Sequence, residues 1–308
     1  MAPSTHKVSS LYGKVTGAWG RTAVISVPMI FLLIVFLLPF LVVFKISLSE
    51  MDAVFFKDVW TWKEDVIALT VRYGNYVSLT QDSLYINSYL SSLKIAGITT
   101  VICLGIAYPF AYFMARSPAD RRPTLLMLVM LPFWTSFLLR VYAWKMLLAD
   151  SGVFNNVAIA IGLIGEPVKM MNTPFSLVLG MVYTYVPFMI LPLYANLVKM
   201  DLRLLEAALD LGATPWQAFW RITVPLSKSG IIAGSMLVFI PCVGEFVIPD
   251  LLGGPETLMI GHVLWDEFFS NNDWPMAATV AVVMVGLIIV PLSLFNKYQA
   301  ESTEGGRA

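Results

Sequence analysis

The chain has 308 residues, 58% of them hydrophobic and only 13% charged, about half the charge of a soluble domain, so it reads as lipid-buried. Its formal net charge is zero, which leaves no electrostatic case for a nucleic-acid partner. Two cysteines and two histidines exclude a disulfide framework or a metal cluster. Cys103 and Cys242 fall inside apolar runs and are expected in the core.

A membrane-crossing helix needs roughly 20 mainly apolar residues. Six stretches qualify: 25–44, 95–115, 124–148, 175–198, 230–252 and 276–295. The first follows a basic tail, 1–24, carrying Lys7, Lys14 and Arg21. It is too long for a signal h-region and has no small-residue cleavage site, so it is expected to be retained. Six spans place both termini on one side. Twelve of the 20 lysines and arginines lie in the tails and in 116–123 and 199–228, which makes those segments and both termini cytoplasmic. Fourteen of the 20 acids lie on the outer side or in the outer half of spans, a face that favours an incoming cation.

The outer segment 49–89 is expected to be a long loop whose Trp60, Trp62, Tyr73, Tyr76 and Tyr85 anchor at the interface. Arg140 interrupts the third span. Residues 150–174 open with Gly152-Val-Phe-Asn-Asn156, a turn leading into a short apolar helix.

The inner segment 199–228 carries more structure than a loop requires. Asp201 is placed to cap a helix running through Glu206 to Leu211, and Gly212 sits where a left-handed C-terminal cap is wanted. Thr214-Pro-Trp-Gln217 is a capping box that starts a second helix over 215–222, with Pro225 as its stop. Ala207 and Ala208 give the first helix a shallow surface, and Glu206 and Asp210 share one face. The pattern suits docking of a partner; the alternative is an amphipathic helix lying on the inner leaflet.

Within the fifth span, Glu245 and Asp250 lie among Pro241, Gly244 and Pro249, which weaken the helix. Ionisable groups inside spans are expensive and point to function, here as an anionic seat in a substrate pathway. The alternative for Glu245 is an ion pair with Arg140 or Lys145. Trp134, Tyr142, Tyr183 and Tyr185 are candidates to flank a cation, or simply pack. Asp266 and Glu267, outside the spans, would meet a partner or be solvated. Pro28, Pro39, Pro187 and Pro192 are placed to kink their helices. The chain lacks a phosphate-cradling Gly-x-x-x-x-Gly-Lys-Ser/Thr loop and the His-Glu-x-x-His and Gly-x-Ser-x-Gly motifs. Any ATP hydrolysis must therefore lie on another chain.

Glu206-Ala-Ala208, Gly212, Ile222 and Pro225 together resemble the "EAA" motif of binding-protein-dependent ABC importer permeases, with Val224 where that family often has Leu. Three further runs, 131–144, 243–254 and 265–275, resemble the polyamine branch, the PotH-type permease subunit of putrescine and spermidine importers. The likeness extends over about 25–298. The resemblance implies an all-α, six-helix type I importer fold with the permease domain at 25–298, a coupling loop at 199–228 and a cytoplasmic tail at 299–308. It implies a bacterial inner-membrane location, a second permease subunit, two copies of an ATPase subunit and a periplasmic polyamine-binding protein, with membrane lipid around the spans. No cofactor is expected in this chain, since ATP and Mg would sit on the ATPase. Glu206, Ala207, Ala208, Gly212 and Pro225 would couple to that ATPase; Glu245, Asp250, Trp134 and Tyr185 would line the pathway. Rival readings are another cargo, such as ferric iron, sulfate or an opine, or a transporter or channel working alone. The last would have no use for a docking helix pair and shows no internal repeat.

Overall fold

The structure is a computed structural model describing the backbone of residues 18–52, 55–57, 60–63, 66–69 and 71–304, and side chains over 24–51 and 71–293. Lys7, Lys14, His6, the side chains of Trp60 and Trp62, and residues 1–17 and 305–308 of the tails lie outside the described residues. The chain divides into two compact units: residues 1–77 with 273–282, and 78–272 with 283–308.

In the first unit, helices α1 (Ala18–Leu32) and α2 (Leu38–Ser47) run on through a π-turn at Leu33–Leu37. The wide turn just ahead of Pro39 accommodates a residue with no N–H to donate. No side chain from Val24 to Ile46 is buried within the chain, so this apolar surface has to be covered by lipid or by another protein. The expected loop after it is instead two antiparallel hairpins, β1 (Glu50–Asp52) with β2 (Phe55–Lys57) and β3 (Trp60–Lys63) with β4 (Val66–Leu69). Buried Ser47 is the hub. Its hydroxyl bonds to the Phe44 carbonyl at 2.7 Å and to the Tyr76 hydroxyl at 2.8 Å, and its carbonyl accepts from Thr279 Oγ1 at 3.2 Å. Asn75 donates to the Ser49 carbonyl, and Arg72 pairs with Glu50 at 3.3 Å. Tyr76 is therefore a structural tie rather than a membrane anchor.

Helix α3 (Gly74–Gln81) precedes the second unit's long α4 (Ser83–Arg116). Asp82 caps α4 by accepting from the Leu84 amide at 2.8 Å. The helix thus begins well before residue 95, and Tyr85 is a buried helix residue, not a loop aromatic. The core is α4 against α8 (Pro174–Leu197) and α12 (Lys228–Val243). Ala96, Cys103, Ala107 and Ala111 are fully buried on one face of α4, and small residues at helical spacing let backbones approach. Gly230 and Gly234 do the same for α12: a Cβ on Gly234 would lie 2.7 Å from Met189 Sδ, and one on Gly230 3.1 Å from the Pro192 carbonyl. Cys103 and Cys242 are both free and buried, as their apolar settings required.

The third span is not one helix. α5 (Arg122–Met130) tightens into a 3₁₀ turn at Leu131–Trp134, and α6 (Phe137–Leu148) follows after an 83° bend. The turn is closed by Thr135, whose amide and hydroxyl both donate to the Pro132 carbonyl; Arg140 lies within α6 and is not the interruption. The short helix α7 (Val153–Ala160) is pinned by buried Asn155, which exchanges two 3.0 Å hydrogen bonds with the Val168 backbone. Pro187 and Pro192 sit inside α8 without breaking it. Four described helices are long and apolar enough to cross a membrane, and six spans result if each of two bent pairs counts as one.

Candidate functional site

Two regions carry the polar chemistry. The first is the segment 199–228, with α9 (Arg203–Asp210), α10 (Pro215–Ala218) and α11 (Val224–Leu226). Asp201 Oδ1 accepts from the Arg203 amide at 3.0 Å. At the far end Gly212 takes φ +86°, and the Ala213 amide donates to the Ala208 carbonyl at 3.0 Å. This is the left-handed C-terminal cap that favours glycine. Thr214 and Gln217 form the reciprocal capping box: Thr214 Oγ1 accepts from the Gln217 amide at 3.3 Å, and Gln217 Oε1 from the Thr214 amide at 3.0 Å.

Pro225 does not stop the second helix. A π-turn at Phe219–Thr223 widens the backbone just before it, helical turns continue to Leu226, and a 64° bend leads into α12. The wide turn does here what it does before Pro39. The segment is fastened to the core at several points. Tyr108 and Ser227 bond at 2.8 Å, Asn196 donates to Ser229 at 2.7 Å, and Phe219 stands edge-on to Tyr108 and Tyr112 at 5.5 and 5.9 Å. Its outer surface presents Glu206, Ala207 and Asp210 beside Leu211 (89% exposed) and Trp216 (69%). The segment thus combines several ties to the core with an exposed apolar-and-acidic face.

The second region is the break at 244–246 between α12 and α13 (Val247–Leu252). Glu245 Oε1 accepts from the Val247 amide at 3.1 Å, and Oε2 from the Tyr185 hydroxyl at 2.6 Å. The carboxylate thus closes a helix end that the break leaves open, and ties it to α8. Among the described residues Glu245 makes no ion pair, so the expected alternative pairing with Arg140 or Lys145 is not formed. Arg140 lies over the Phe133 and Phe137 rings at 5.4 and 5.9 Å, with Nε and Nη1 buried and without an acceptor among the described residues. Of the four aromatic candidates, Tyr185 alone has a recorded bond to Glu245. Tyr183 packs edge-on to Trp144 at 5.4 Å; Trp134 (77%) and Tyr142 (48%) are exposed.

Asp250, although only one turn beyond the break, faces a different group. His262, on α14 (Ile260–Trp265), lies 3.3 Å from Asp250 and 3.0 Å from Asp266. Glu267 is buried, accepting from the Tyr85 hydroxyl at 2.7 Å and from Asn271 at 2.9 Å, so it is not a solvated surface acid. Sequence reading missed the His262 bridge, though its spacing of four from Asp266 was a usable signal. It also missed the stack of Phe246, the residue after Glu245, on Trp265 (4.6 Å), and the tilted contact of Trp265 with Phe269 (4.1 Å).

Residues 107–300 match the family model described as "Binding-protein-dependent transport system inner membrane component". The chain is 40% identical over 278 residues to "Spermidine/putrescine transport system permease protein PotB" of Haemophilus influenzae, covering 90% of this chain and 93% of that one. It is 40% identical over 261 residues to the Escherichia coli protein of the same name, covering 84% and 90%. These relatives are named PotB, where the motifs pointed to a PotH-type subunit. Among solved structures, a bacterial alginate ABC transporter in complex with its pentasaccharide-bound periplasmic protein aligns with a TM-score of 0.68 at 18% identity, covering 95% of this chain and 98% of that one. The MetNI methionine ABC transporter aligns with a TM-score of 0.53 at 16% identity, covering 70% and 94%.

Proposed function

We propose a function from the premise that the chain belongs to the family of binding-protein-dependent transport system inner membrane components. It is a transmembrane permease subunit of an ATP-driven spermidine/putrescine importer. The observation that carries this is the 40% identity to PotB over nine-tenths of the chain. It is not an enzyme. The ATPase is a separate protein, and a periplasmic binding protein delivers the cargo. A pairing with one further permease and two ATPase copies, with both termini cytoplasmic, follows from the motif and charge pattern.

Within that frame Glu245 is the anionic seat for one ammonium group of the cargo. Its half-buried carboxylate is held in place by Tyr185 and the Val247 amide, which leaves lone pairs for a charged donor. Phe246, next in the chain, and Trp265 stacked on it would suit the methylene and ammonium groups of a polyamine. Asp250 is already engaged by His262 and acts further along the path. The helix pair of α9 and α10 is the coupling element: its exposed face meets the ATPase, and its ties through Ser227 and Ser229 pass movement to α4 and α8. Alternating access then opens the path at Glu245 to one side at a time.

The test is uptake of labelled putrescine and spermidine in cells lacking this chain, with and without a copy restored. Restored uptake that needs ATP and survives collapse of the proton gradient supports the reading. Failure, with the chain in the membrane and the partner subunits present, removes the polyamine assignment.

A further inference from the structure

An open groove of about 600 Å³ lies on the inner half of the second unit. Val101, Gly105, Tyr108 and Tyr112 form one wall, and Phe219 and Trp220 of the coupling segment stand opposite. The α4 wall is a stripe at helical spacing, and the next position on it is Arg116. Its guanidinium lies 5.1 Å above the Tyr112 ring, and its Nη2 is buried with no acceptor among the described residues. Nearby Arg122, by contrast, donates Nε to the Ser117 carbonyl at 2.8 Å. A buried guanidinium nitrogen without an acceptor is costly, so it calls for an anion. From Val101 to Arg116 the stripe is about 22 Å long at the α-helical rise. That is about half of a bilayer's hydrocarbon thickness plus the headgroup layer.

We infer that an anionic glycerophospholipid of the inner leaflet binds here, its phosphate on Arg116 and one acyl chain along the groove. An open apolar groove with one cation over its Tyr112 end and exposed Trp220 in its wall (51%) matches an alkyl chain carrying an anionic head. The planar guanidinium fork suits phosphate oxygens, and tryptophan belongs at headgroup level. The lipid touches Phe219 and Trp220, so it sits against the π-turn of the coupling segment. The inference rests on the orientation given above, which puts Arg116 on the cytoplasmic side.

The transporter assembled with its partner subunits, reconstituted in phosphatidylcholine nanodiscs containing phosphatidylglycerol, is released into mild detergent and its retained lipid counted by native mass spectrometry. Wild type keeps one phosphatidylglycerol per copy of this chain. Arg116→Gln lowers that retention about tenfold or more, and Arg116→Lys restores part of it. Gly105→Phe puts a ring into the groove to block the acyl chain; a Cβ at that position meets nothing within 4 Å, and unchanged membrane abundance and assembly confirm that the fold holds. Glycerol phosphate added at millimolar levels does not displace the lipid. Unchanged retention in both Arg116→Gln and Gly105→Phe overturns the site. Full displacement by glycerol phosphate reduces it to a phosphate contact and overturns the lipid. Loss of a partner subunit in Gly105→Phe, with lipid retention intact, gives the groove to a protein instead. Lipid is counted without transport, so an error in the cargo would leave these results untouched.

Discussion

The segment 199–228 and the break at Glu245 are both places where helices end under constraint, and they end by opposite means. The segment around α9 and α10 is finished locally. Asp201 serves the Arg203 amide, Gly212 takes the left-handed turn, and Thr214 and Gln217 cap each other. The break is finished at a distance: Glu245 closes α13 but depends on Tyr185, 60 residues earlier, for its other oxygen. A locally closed element keeps its shape while it moves as a body, which suits transmission. A carboxylate held by a partner on another helix changes its surroundings whenever the helices shift, which suits a site that must bind and release.

The sharpest way to break this contrast is Glu245→Gln. Glutamine keeps an oxygen for the Val247 amide and can still meet the Tyr185 hydroxyl, so the fold should hold. The charge is lost, and a hydrogen bond to a charged group is worth about 1.5–3 kcal/mol. Polyamine uptake should fall roughly ten- to a hundredfold at unchanged membrane abundance. Wild-type uptake kinetics would return Glu245 to a purely structural role.

Next is Gly212→Val. At φ +86° a residue with a Cβ costs about 1–2 kcal/mol, and a branched one sits at the upper end. A Cβ there meets nothing within 4 Å, so strain and not crowding is tested. Uptake should drop about five- to thirtyfold if the capped helix pair transmits movement, while Gly212→Asn, which tolerates that conformation, should lose far less. Equal loss in both variants would show that side-chain bulk, not backbone shape, matters at this contact.

Tyr185→Phe probes the long-range half of the contrast. It removes one of the hydrogen bonds that hold Glu245 and leaves the Val247 amide in place. A loss of about three- to tenfold in uptake is expected. Because the two groups touch, combining it with Glu245→Gln should add little further loss. Full additivity in the double variant would mean that Tyr185 acts separately from Glu245.

The same contrast explains what could be seen in the sequence. The caps at Asp201, Gly212 and Thr214 obey rules that span four residues or fewer, so they were legible. Pro225 was misread as a stop because a π-turn at Phe219–Thr223 lets the helix run past it, and the spacing of apolar residues does not announce such a turn. The weakness of the fifth span around Gly244 was visible, yet its consequence, the pairing with Tyr185, was not. Glu267 looked like a solvated acid because its partner Tyr85 lies 182 residues distant. Asp82, which caps α4, went unread, because the apolar-window criterion placed the helix where hydrophobicity rises, near residue 95, rather than where its cap stands.

The smallest effect should come from Thr214→Ala. It removes the hydroxyl that accepts from the Gln217 amide and leaves the return bond, from the Thr214 amide to Gln217, intact. Loss of such a cap costs about 1 kcal/mol, so hydrogen exchange at amides 217–218 should quicken about fivefold, and Thr214→Ser should reverse it. Uptake should change by no more than about twofold, because Phe219, Ser227 and Ser229 still fasten the segment to the core and the loss stays in one turn. If uptake instead falls as far as in Gly212→Val, the two short helices do not close independently. The segment would then depend on cooperation between its parts, as the break at Glu245 does, and the division between a locally finished transmitter and a distantly held site would not stand.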